Sequence, residues 1–153
     1  MRKIASFEVN HDVLKQGMYI SRVDGDIVTY DIRMTVPNSG RYLTNPALHT
    51  FEHLFATYAR NSALSENVVY VGPMGCRTGF YLLMRGSTHQ QALDLMRDTL
   101  EFIAGYDGPI PGAQASRECG NWLDHDLPAA RDIALEMRRV LAGWRVEDMT
   151  YAA

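Results

Sequence analysis

Residues 18–36, MYISRVDGDIVTYDIRMTV, constrain the fold more than any other stretch of the chain. Asp24-Gly25 places a residue pair that tolerates positive φ between two extended runs, which is a hairpin signal. In the second run Val28, Tyr30, Ile32, Met34 and Val36 alternate with Thr29, Asp31, Arg33 and Thr35. A period of two puts the first set on one face of a half-buried strand and Arg33 on the other. Pro37-Asn38-Ser39-Gly40 ends the run. A sheet built this way has one apolar face to bury, and the rest of the chain must supply the cover.

The cover reads as helical. Asn45 suits an N-cap with Pro46 in the first turn, and Leu48, Phe51, Phe55 and Tyr58 follow at spacings of three and four. NVVYVG and TGFYLLMRG read as two further strands. A second helix is predicted over 89–104, with a capping box from Thr88 and Gln91 and a stripe of Leu93, Met96, Leu100 and Ile103. Gly105 stops it. A third helix starts near Asp126, buries Ala130, Ile133, Met137 and Leu141, and ends at Gly143. The prediction is an α+β fold: an antiparallel β-sheet with helices packed on one face, in a single domain spanning 1–153.

Composition narrows the function. Apolar residues make up 46% and charged residues 22% of the 153, values of a chain that buries a core rather than staying disordered. A net charge of −3 offers no basic stripe for phosphates, so nucleic acid is not an expected partner. No apolar run approaches the ~18 residues of a membrane span. The opening MRKIASFEVNHD lacks the apolar core of a secretory signal, and a cytoplasmic location is the expectation. The two cysteines then read as free thiols or metal ligands rather than a disulfide.

The stretch LHTFEHLFA carries the chemistry. His49 and His53 lie about 40° apart on a helix, one turn up the same side. Neutral imidazoles at that spacing supply two nitrogen ligands to a divalent ion such as Zn²⁺. Glu52 stands between them, and a carboxylate there can stay off the ion and act as a base. The pattern H-x-x-E-H occurs in metal hydrolases of the inverted type.

A catalytic ion takes three protein ligands and keeps a position open. Cys76, Cys119, His11, His89 and His125 are the candidates for the third. His89 opens a helix and reads as a surface residue; His125 precedes the N-cap Asp126 and reads as locally polar. The thiols are the stronger candidates, since thiolates bind such ions tightly. Cys76 sits in the Gly/Pro-rich GPMGCRTGFY, with Arg77 beside it to lower the thiol pKa, and Cys119 in ECGNW. Spacing leaves open which is ligand and which is catalyst.

These blocks resemble a known family. HTFEH at 49–53, PMGCRTGFY at 73–81 and ECGNW at 118–122 are similar to the signature blocks of S-ribosylhomocysteine lyase, the LuxS family. SFEVNH at 6–11 and YDIRMTVPN at 30–38 resemble its N-terminal blocks. The resemblance implies that His49, His53 and Cys119 hold one divalent ion per subunit, Fe²⁺ with Zn²⁺ or Co²⁺ able to substitute. It implies acid–base roles for Cys76 and Glu52, and substrate contacts for Ser6, His11 and Arg33. The implied state is a homodimer with active sites at the interface. The implied reaction splits S-ribosylhomocysteine into homocysteine and 4,5-dihydroxy-2,3-pentanedione, the precursor of autoinducer-2, by metal-assisted carbonyl migration and β-elimination.

The sequence departs from the family pattern around Asn10-His11-Asp12 and Gln16–Arg22. A lyase acting on a related thioether sugar is therefore one alternative. Another is a metallopeptidase of the inverted HxxEH type. A structural ion closed by both cysteines and both histidines is a third reading, and a thiol redox protein, without a C-x-x-C, a fourth.

Overall fold

The hairpin around Asp24-Gly25 forms as its sequence predicts in the computed structural model, which describes residues 1–152. Strand β1 (Gly17–Asp24) turns through Gly25 and Asp26 into β2 (Ile27–Arg33). Gly25 takes φ +61°, a conformation that costs glycine least. A four-residue helix, α1 (Ala5–Glu8), precedes the hairpin. After it come α2 (Asn45–Asn61), β3 (Val68–Pro73), β4 (Gly79–Arg85), α3 (His89–Ala104) and α4 (Leu127–Leu141).

The sheet has the order β1-β2-β4-β3, and every neighbouring pair is antiparallel. Tyr30 and Ile32 of β2 and Phe80, Leu82 and Met84 of β4 point at the helices and are buried. Phe51 and Phe55 of α2 meet Phe80 at ring separations of 5.1 and 6.1 Å, tying helix to sheet. This is the predicted α+β arrangement.

Element boundaries follow local chemistry. The second helix spans His89–Ala104 with the Thr88–Gln91 capping box in place. Asp126 caps α4 by accepting from Ala129 N. At α2 the cap is Thr44, one residue before the predicted Asn45: its hydroxyl accepts the Ala47 N–H at 3.4 Å. Ala47, Thr50, Leu54 and Ala59 join Phe51 and Phe55 on the buried side, leaving Leu48 and Tyr58 on the flanks.

The second strand stops earlier than its alternation suggests. Beyond Arg33, the N–H groups of Met34 and Thr35 both donate to the Thr78 carbonyl, at 2.8 and 3.1 Å, so the chain leaves the ladder to wrap the β3–β4 turn. The face opposite the helices also differs from the half-buried expectation. Asp31 and Arg33 lie on it, yet they are 1% and 3% exposed. Their cover comes from the C-terminal segment: Ile20 N–H donates to Met149 O at 2.7 Å along the edge of β1, and Tyr151 then reaches Asp31.

His89 is not a free surface residue. It is half-buried, and its Nδ1 lies 2.7 Å from the hydroxyl of fully buried Tyr30. That bond satisfies a phenol whose pKa burial pushes up to about 12.

Candidate active site

Helix α2 presents His49, Glu52 and His53 on its half-buried flank, because its fully apolar side is already committed to the sheet. Each imidazole is pinned through Nδ1. His49 Nδ1 lies 2.8 Å from Asp124 O, and His53 Nδ1 lies 2.7 Å from Pro111 O. A carbonyl only accepts, so both rings donate from Nδ1, and in the neutral form each keeps a lone pair on Nε2. This is the orientation that second-sphere partners give metal-binding histidines.

The 105–125 loop completes the arrangement. Cys119 Sγ lies 3.4 Å from His49 Nε2 and 3.8 Å from His53 Nε2. Nitrogen and sulfur ligands sharing one tetrahedral ion, at bonds of ~2.0–2.1 and ~2.3 Å, stand ~3.6 Å apart. A thiol proton could satisfy only one of the two imidazole lone pairs, whereas a divalent cation satisfies both and the sulfur. The donor set therefore fits such an ion. Gly112 makes the loop's approach possible: it adopts φ +70°, and a Cβ there would stand 3.2 Å from His53 Nδ1.

His125 belongs to the same cluster, which spacing did not suggest. One ligating atom from each of His49, His53 and His125 lies within 4.8 Å of the others, so this trio could hold a metal. The His125 ring stacks on His49 at 4.1 Å and meets His53 edge-on at 5.0 Å. Its Nδ1 lies 2.9 Å from Thr50 Oγ1, the local polar contact the sequence suggested, while its Nε2 is buried without a hydrogen-bond partner. Burial, and then the neighbouring His49 and His53, hold its pKa below the usual imidazole range.

A second cluster forms around the β3–β4 turn and the end of β2. Cys76 is exposed in the β3–β4 turn, where the Arg77 N–H closes onto Met74 O and Arg77 takes φ +60°. Cys76 Sγ lies 3.1 Å from Thr78 Oγ1, which accepts from Arg33 Nη1 at 2.8 Å. Arg33 forks onto Asp31 with bonds of 3.1 and 2.7 Å. Burial opposes the guanidinium charge, but Asp31 outweighs it and Cys76 adds to the effect, so the Arg33 pKa rises. In register, Arg33 faces Gly17 on β1 and Gly79 on β4, so neither neighbouring strand has a side chain beside it.

Ser6 and His11 are the remaining candidates. Ser6 lines a shallow cavity of about 240 Å³ with Ser21, Arg22, Thr29 and Tyr81. His11 is half-buried and bonded through Nδ1 to Val9 O at 2.8 Å. Among the described residues, no hydrogen bond joins Ser6 or His11 to either cluster. The segment carrying them also exposes Ile4, Phe7 and Val13.

The chain is similar over most of its length to known proteins. The family model described as S-Ribosylhomocysteinase (LuxS) matches residues 4–147. A protein of Clostridium acetobutylicum named S-ribosylhomocysteine lyase is 52% identical over 136 residues, 85% of each chain. One of Phocaeicola vulgatus with the same name is 45% identical across 99% of this chain and 98% of its own. Another, from Porphyromonas gingivalis, is 46% identical across 99% of both chains.

Proposed function

The chain belongs to the S-ribosylhomocysteinase (LuxS) family, and on that premise we propose that it is a carbon–sulfur lyase acting on S-ribosylhomocysteine. The products are homocysteine and 4,5-dihydroxy-2,3-pentanedione, the precursor of autoinducer-2. The observation that carries this reading is the convergence of Cys119 Sγ on the two Nε2 atoms of His49 and His53. In this reading those three residues hold the ion, and His125 packs behind His49 and keeps water from that side. The bound ion, Fe²⁺ with Zn²⁺ or Co²⁺ as substitutes, supplies Lewis acidity that favours negative charge on a sugar oxygen.

The protein side chains do the proton work. Cys76, as thiolate, takes a proton from one sugar carbon and returns it to its neighbour, and two such exchanges move the carbonyl from C1 to C3. Arg33 favours the thiolate through its charge, and Thr78 through its hydroxyl. Removal of the C4 proton then expels homocysteine from C5 as thiolate, and Glu52 is the base for that step. The sugar's carbons are rearranged without any net gain or loss of electrons.

Ser6, His11 and Arg33 hold the substrate in this proposal. Ser6 and His11 do so across a homodimer interface. Two features support that placement: among the described residues they make no hydrogen bond to either cluster within one chain, and their segment leaves Ile4 53% and Phe7 66% exposed. Covering them with a second copy would bury apolar surface and complete the site at once. Among the described residues no helix is long and apolar enough to cross a membrane, and we place the enzyme in the cytoplasm.

No observation favours a peptidase. The thiol beside the histidine pair replaces the acidic ligand such enzymes use, and the relatives are named as lyases. The test is direct: purified, anaerobically iron-loaded protein is mixed with S-ribosylhomocysteine and free thiol is followed. Release of homocysteine supports the assignment, and no thiol above background overturns it.

A further inference from the structure

The family match ends at residue 147, yet the chain beyond it reaches the Cys76 cluster. After the short turn Val146–Asp148, Met149 O accepts from Ile20 N–H at 2.7 Å, which lays the tail along the edge of β1. Tyr151 then folds over the sheet, its ring stacked on Tyr19 at 5.1 Å and 20°. Its hydroxyl donates to Asp31 Oδ2 at 2.6 Å, the same oxygen that receives Arg33 Nη2.

A continuous chain of bonds follows. It runs from Tyr151 to Asp31, from Asp31 to Arg33, from Arg33 to Thr78 and from Thr78 to Cys76. A guanidinium only donates, so Thr78 Oγ1 accepts from Arg33, and its own hydrogen is available to Cys76 Sγ when the sulfur is a thiolate. Asp31, Arg33 and Thr78 are 1%, 3% and 2% exposed, so none of them can exchange its partner for water. A buried ion pair of this kind depends on every lone pair being satisfied. Tyr151 supplies the hydrogen bond to Asp31 that β2 does not.

We propose that Tyr151 is a positioning residue for proton transfer at Cys76, acting through the Asp31–Arg33 pair and Thr78. This rests on the reading of Cys76 as the proton carrier. By drawing part of the Asp31 charge onto its hydroxyl, Tyr151 leaves more of the Arg33 field directed at the thiol. It also fixes the rotamer from which Arg33 holds Thr78. The charged and titratable groups near the thiol and its bonded chain are Arg33 and Asp31 on β2, Tyr81 on β4, Arg77 next in the chain and Tyr151 itself.

The experiment compares Tyr151→Phe with Tyr19→Phe in the metal-loaded full chain. Tyr19 donates to Lys15 O at 2.9 Å and not to Asp31, so it serves as the structural control. Alkylation of Cys76 by iodoacetamide is followed by peptide mass across pH, alongside kcat and KM for homocysteine release. Tyr151→Phe keeps the stacked ring and is expected to slow alkylation at neutral pH about three- to tenfold by moving the thiol midpoint upward. Its kcat should fall by a similar factor with KM held, while Tyr19→Phe leaves the midpoint in place. An unmoved midpoint in Tyr151→Phe, or equal shifts in both variants, overturns the inference. Failure of the lyase reading is separate, because the parent protein would then release no homocysteine whatever the alkylation profile.

Discussion

Cys119 Sγ stands 3.4 Å from Nε2 of His49, a residue 70 positions earlier in the chain. Two groups with lone pairs facing each other at that distance are mutually repulsive unless a proton or a cation lies between them. With His53 Nε2 also at 3.8 Å from the same sulfur, one proton is not enough. Metal binding and loop position are therefore one problem, and mutations at either should affect both.

Replacing a member of the cluster tests this first. His49→Ala should lower metal content from close to one ion per chain to under about a tenth, since two ligands hold a divalent ion poorly. Retained stoichiometric metal would remove His49 from the site.

Gly112 offers a subtler test. An alanine there meets strain at φ +70° and a Cβ contact of 3.2 Å with His53 Nδ1. Either the loop or the His53 ring must give, which disturbs the Pro111 O contact that orients His53. Metal affinity should drop about 10- to 100-fold, the usual effect of disturbing an outer partner of a metal ligand. Titration with a competing chelator measures it, and unchanged affinity would show that the Pro111 contact is dispensable.

Acid and chelators should destabilise the protein through the same centre. Imidazole and thiol ligands must lose protons to bind, so protons compete with the ion and its stabilisation fades as pH falls. At free metal near 100 times Kd, removal lowers stability by about 2.7 kcal/mol. Thermal unfolding with and without chelator reads this as a lower Tm. Identical curves would mean that the fold does not depend on the ion.

The two proposed proton carriers should behave unlike the proposed ligands. Cys76→Ser and Glu52→Gln should keep the metal yet lose turnover, each by about 10²- to 10⁴-fold. Cys76 bonds to Thr78, in the β3–β4 turn, rather than to the histidine cluster, so its loss need not disturb the ion. Loss of metal in Cys76→Ser would instead favour a structural site closed by both cysteines.

What the sequence shows of this site depends on how far each contact reaches along the chain. His49, Glu52 and His53 are visible as a motif because one helical turn brings them together, and the α3 boundaries are visible because Thr88 and Gln91 cap locally. Resemblance to a known family, not spacing, is what points to Cys119 in place of Cys76. His125 stays hidden because Thr50, 75 positions away, holds it against His49. Arg33 is predicted on an open face because nothing near it in sequence announces the cover, which comes from Tyr151, 120 positions from its Asp31 partner. His89 reads as surface for the same reason: its partner Tyr30 lies 59 positions away.

The central claim is that an ion held by His49, His53 and Cys119 makes this chain a lyase. Metal content and homocysteine release, measured on one sample of the parent protein and one of Cys119→Ser, test it most directly. The parent should carry close to one ion per chain and release homocysteine from S-ribosylhomocysteine, and the variant should lose both together. Full metal and unimpaired thiol release in Cys119→Ser would contradict it.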